Sequence, residues 1–77
     1  MTQPRQLTDR LIAASRDWTP HDLVPERQKA EVKAIGHALH SAGGIGAMVA
    51  AYYEAKERNR SASVIQAYWD GIGEWRW

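Results

Sequence analysis

His37 and His40 stand three residues apart in this 77-residue chain, a spacing that puts both imidazoles on one face of a helix, as the first two ligands of a metal ion would require. Two ligands leave a site incomplete. A third would have to come from His21 or Asp22 in the preceding connector, and Lys29 and Lys33 share the polar face and repel a cation. Solvated surface histidines are the expectation, with no metal and no cofactor.

The run Ser41-Ala42-Gly43-Gly44-Ile45-Gly46 has the glycines of a phosphate cradle, in which bare amide donors and a helix N-terminus face an anion. Nucleotide-binding glycine loops follow a strand, and the P-loop continues into Lys-Ser or Lys-Thr. Here a helix precedes and Ala47-Met48 follows, so a helix-helix turn accounts for the glycines. A helix-turn-helix reading fails on its second helix. Ile45-Gly46-Ala47-Met48-Val49-Ala50-Ala51 has none of the polar side chains that read base edges, and it reads as buried core.

Among Asp17, Asp22, Asp70 and Glu74, only the last two are spaced to stack on one helix. Arg76 falls on a different face and tunes neither. A helical domain this small has little room for a pocket of about 300 Å³ or more, so neither catalysis nor a small-molecule substrate is expected.

The aromatic residues are the remaining candidates. Three of the four tryptophans lie in the last nine residues, and the chain has no phenylalanine. Tryptophan and tyrosine combine a large apolar body with a polar tip, which suits half-buried and interfacial positions. Trp18, Tyr52, Trp69 and Trp75 fit a core. Tyr53, Tyr68 and Trp77 lie at stripe edges or the chain end, and with Trp75 they form the candidate partner-binding set.

The elements that must position these residues follow from periodicity. Leu7, Leu11, Ser15 and Trp18 recur at near-helical spacing, predicting a helix from about Thr8 to Asp17, with Thr8 as its cap and residues 1–6 flexible before it. Pro20 and Pro25 punctuate a connector, and Pro25 suits the first position of the next helix. That helix, Pro25 to about Ser41, carries Val32, Ile35, Leu39 and Ala42 on one face, beside a ridge of Ala30, Ala34, Ala38 and Ala42 suited to close helix approach. Gly43-Gly44 should stop it. A third helix, about Ile45 to Arg58, buries Ile45, Met48, Val49 and Tyr52, pairs Glu54 with Arg58 and forms an antiparallel hairpin with the second. Ser63 and Gln66 fit a capping box for a fourth helix, in which Val64, Ile65, Tyr68, Trp69, Ile72 and Trp75 keep a helical rhythm to the chain end despite Gly71 and Gly73, the alternative being a break at Asp70. No run has the alternating, β-branched character of a strand. An all-α bundle of about four short helices, in a single domain, is the expected fold.

The stretches IGHALHSAGGIGAM, Ile35 to Met48, and YWDGIGEW, Tyr68 to Trp75, together resemble a pattern in short bacterial proteins of unassigned function. The resemblance implies a small bacterial helical domain in which the Gly-Gly turn and the tryptophan-rich end pack as a unit. It implies no activity.

Composition narrows the function classes. Ten basic and nine acidic residues leave a formal charge of +1, without the excess typical of dedicated nucleic-acid binders. With no cysteine, disulfides and cysteine-based zinc sites are excluded. The N-terminus Met1-Thr2-Gln3-Pro4-Arg5 lacks the apolar run of a signal peptide, and no stretch approaches the roughly 20 apolar residues of a membrane span, so a cytoplasmic protein away from membranes is expected. The leading expectation is a regulatory or adaptor module that binds another protein, or a second copy of itself, through an aromatic C-terminal helix. The second is a small nucleic-acid-binding regulator contacting the phosphate backbone through Lys29, Lys33 and His37, or through Lys56, Arg58 and Arg60.

Overall fold

Pro4 opens the first helix because proline has no amide donor to leave unpaired there and its φ is already helical. In the computed structural model, which describes residues 3–19 and 24–76, α1 runs over Pro4–Ser15. It begins four residues before the expected cap, so residues 4–6 belong to the helix. Thr8 lies one turn inside it, buried, with its hydroxyl donating back to the Pro4 carbonyl at 3.0 Å. The expected stripe of Leu7, Leu11, Ser15 and Trp18 is buried throughout. Pro20, His21 and Asp22 of the connector lie outside the described residues, as does Trp77.

The second element, α2, spans Glu26–Arg58. The two helices expected on either side of a Gly43-Gly44 loop are instead one helical run with a single non-helical residue, Gly44, at φ 70° and ψ −162°. Only glycine occupies that region readily, so one residue bends the helix and no loop is needed. A straight helix of this length would extend about 50 Å. The longest dimension of the molecule is 33 Å. Trp18 lies against both ends of α2: its indole donates to Gln28 near the start at 2.8 Å, and its carbonyl accepts from Asn59, just past the end, at 2.8 Å.

Val32, Ile35 and Leu39 are buried as expected, together with Met48, Ala51, Tyr52 and Ala55 beyond the kink. The alanine ridge is not used for close packing, because Ala30, Ala34 and Ala42 are exposed. Close approach occurs instead at Gly36, against the indole of Trp69. Glu54 pairs with Arg5 of α1 at 2.9 Å rather than with Arg58.

A 3₁₀ turn over Arg60–Val64 and a single-turn helix, α3, over Ile65–Tyr68 complete the regular structure. The turn starts earlier than the expected box of Ser63 and Gln66. Asn59 caps it, its side-chain oxygen accepting from the Ser61 amide at 3.1 Å, and Gln66 donates only to the Ser63 carbonyl. The expected helix to the chain end stops at Tyr68. Gly71 and Gly73 take positive φ values of 94° and 54°, turning the chain back on itself, and the Gly71 amide donates to the Trp75 carbonyl at 3.0 Å. Packing explains the reversal. On a continuing helix Trp69 and Trp75 would point about 120° apart; the turns bring their rings to 5.1 Å, edge to face, within one core. Among the described residues the fold is all-helical, and no helix is long and apolar enough to cross a membrane.

Candidate interaction surface

The aromatic candidates divide by burial. Trp75 is 8% exposed, its indole donates to the Gln66 carbonyl at 3.0 Å, and its ring meets Tyr52 and Trp69 edge to face. It is a core residue and leaves the partner-binding set. Trp18, Tyr52 and Trp69 are also core. Tyr68 is half-buried against Trp18, and Tyr53 is 56% exposed.

Tyr53 stands on the arm of α2 that follows the kink, one turn after Val49, which is itself 38% exposed. Gly46 and Ala50 are exposed on the same side. The expectation that 45–51 is wholly core is therefore corrected: Met48 and Ala51 face inward, while Gly46, Val49 and Ala50 face solvent. From Ser41 to Tyr53 no residue carries a charge, although a helix with one buried face needs only about half its circumference apolar. That uncharged run was the sequence signal for this surface.

A groove of about 260 Å³ runs beside this face, with Ile45, Val49 and Tyr53 on one wall and Gln66, Glu74 and Arg76 on the other. At its floor are Tyr52 and Trp75; among the described residues the buried Tyr52 hydroxyl has no hydrogen-bond partner. Lys56 approaches the Tyr52 and Tyr53 rings at 5.8 and 6.0 Å, within cation–π range.

The histidines separate in role. His37 is exposed, whereas His40 is tied to Glu74 of the C-terminal turns, Nε2 to Oε1, at 2.8 Å. The hydrogen bond from His40 holds the Glu74 carboxyl below its ordinary value, against the opposing effect of desolvation. Asp70 and Glu74 do not stack on a helix, since the chain turns between them. Among the described residues no group of three or more metal-ligating side chains comes together; His21 and Asp22 lie outside that set.

The basic candidates do not all line one groove. Lys29 and Lys33 line a second groove, of about 510 Å³, with Tyr68, and the Lys29 ammonium lies 5.8 Å from that ring. Glu26 and Asp70 line it too, and Glu26 pairs with Lys29 at 3.2 Å, which dilutes the positive field. Lys56, Arg58 and Arg60 are exposed and do not line that groove.

Comparison with protein-family models, with curated proteins and with solved structures finds no match to this chain. The reading of function therefore rests on the surface itself.

Proposed function

We propose that this chain is a small cytoplasmic protein-interaction module, an adaptor or inhibitor that acts by binding rather than catalysis, and that it docks through the face carrying Gly46, Val49, Ala50 and Tyr53. The observation that carries this is the exposure of Val49 and Tyr53, 38% and 56%, within a helical stretch free of charge. An apolar strip with a tyrosine at its end and charged groups on its rim has the anatomy of a protein-docking patch. In this reading Tyr53 is a docking residue, as expected from sequence, and Trp75 lines the floor of the groove beside the face.

The test is capture from nuclease-treated bacterial lysate by the tagged protein, comparing wild type with Tyr53→Ser. Tyr53 is 56% exposed, so the variant is expected to fold. Proteins retained by wild type and lost by the variant support the docking face; identical captures remove it. The nucleic-acid reading draws on a separate observation, the convergence of Lys29, Lys33 and the Tyr68 ring on one groove, with His37 on the same helix. It requires binding that falls steeply with salt and weakens in Lys33→Gln.

A further inference from the structure

The geometry points to a second copy of this chain as the occupant of the 46–53 face, the two helical arms packing antiparallel about a two-fold axis between Val49 and Ala50. This rests on the proposal that the face is a docking surface and names its partner. Gly46, Val49, Ala50, Tyr53, Lys56 and Glu57 are all exposed and recur at spacings of three and four, the seam pattern of a helix that packs against another helix. The opposite side of the same arm already packs on the core through Met48, Ala51, Tyr52 and Ala55, so Gly46, Val49, Ala50 and Tyr53 form a second, exposed uncharged strip among the described residues.

Self-complementarity argues for a copy of the same chain. An interface about a two-fold axis must carry knob and hole on one patch. Gly46 is an open notch, since a Cβ there would meet nothing within 4 Å, and Tyr53 is an exposed knob seven residues on. An axis midway between them seats each Tyr53 over Gly46 of the other copy. Charge also favours the antiparallel arrangement. The C-terminal end of the seam carries Lys56 and Glu57, while Glu74, bonded to His40 on the stretch of α2 before the kink, lines the groove beside the seam together with Arg76. Antiparallel packing brings Lys56 toward Glu74 of the second copy, whose side chain is 65% exposed, and Glu57 toward Arg76. A cysteine-free chain of 77 residues has no disulfide to staple it, a situation in which small domains turn to assembly.

The experiment is sedimentation equilibrium of the full chain from about 1 µM to about 1 mM, for wild type and Gly46→Leu, with thermal melts of both. Wild type is expected to pass from monomer to dimer within that range. Gly46→Leu fills the notch and should raise the dissociation constant at least about tenfold without lowering the melting midpoint of the dilute monomer. Because the chain has no cysteine, single substitutions report orientation: Ala50→Cys should form a disulfide with its copy, whereas Glu57→Cys, about 20 Å from its own counterpart in the antiparallel pair, should not. Equal cross-linking at both positions overturns the antiparallel geometry. A wild type that stays monomeric throughout, with Tyr53-dependent capture of other proteins intact, overturns the second copy and leaves the docking face standing. A monomer whose captures ignore Tyr53 removes both.

Discussion

The indole of Trp69 packs against Gly36, with its Nε1 donating to the Val32 carbonyl at 2.8 Å. A Cβ at residue 36 would come within 2.6 Å of that nitrogen and 2.8 Å of Cδ1. The ring is fully buried and hydrogen-bonded, so it cannot retreat. Gly36→Ala should therefore destabilise the protein by about 1–3 kcal/mol through overpacking, outweighing the ~1 kcal/mol that alanine gains in an unconstrained helix. Urea unfolding checks the sign: a stabilised Gly36→Ala would mean the indole does not occupy this position.

Gly44 and Gly46 should respond in opposite directions to the same substitution. Neither would place a Cβ within 4 Å of another group, so sterics with neighbours cancel from the comparison. Gly44 holds φ 70°, ψ −162°, whereas Gly46 is helical. Gly44→Ala should cost about 1–3 kcal/mol of backbone strain, and Gly46→Ala should stabilise by up to about 1 kcal/mol. Matched thermal melts of the two dilute variants are expected to move to opposite sides of wild type.

Asn59 joins three segments through one side chain. Its Nδ2 donates to the carbonyls of Ser15 and Trp18, both at 2.8 Å, with Arg16 at 3.2 Å, while its Oδ1 caps the 3₁₀ turn at Ser61. Asn59→Asp keeps the shape and the cap acceptor but loses both donors. It should destabilise by about 1–3 kcal/mol, nearly as much as Asn59→Ala, because the cost lies in the unpaired carbonyls. An Asp variant as stable as wild type by chemical denaturation would assign the effect to the cap instead.

The tie between His40 and Glu74 makes a prediction about pH. The Glu74 carboxyl is lowered in the folded chain, first by the hydrogen bond from His40. Its contribution to stability is thus present above the ordinary carboxylate value and is lost as pH falls through the lower, folded-state value. In a carboxyl-resolved NMR titration, the Glu74 midpoint should lie below that of an ordinary glutamate and rise toward it in His40→Asn. An unchanged midpoint would show that the ring does not hold the carboxylate.

Helical class and the inward stripes of α1 and the first arm of α2 were legible because a period near 3.6 in apolar residues is a local property. Leu7, Leu11, Ser15, Trp18, Val32, Ile35 and Leu39 all face inward as their spacing implies. The candidate surface was half legible. The exposure of Tyr53 agrees with its place at a stripe edge, whereas periodicity puts Val49 in the core, because an arm apolar on every side does not announce which side is covered.

The end of the chain shows where local reasoning stops. Val64 to Trp75 scans as a helix, and Gly71 and Gly73 could interrupt it or pass through it at a cost of about 1 kcal/mol each. What decides is the burial of Trp69 and Trp75 in one core, worth more than that cost and reachable only if the chain reverses. The sequence by itself determined the helical class, the buried stripes and the breaking points available at Gly44, Gly71 and Gly73. Tertiary structure decided which of those points bend and in what way, that Trp75 serves the core, and that Val49 and Tyr53 face solvent, because each depends on contacts between residues far apart in the chain.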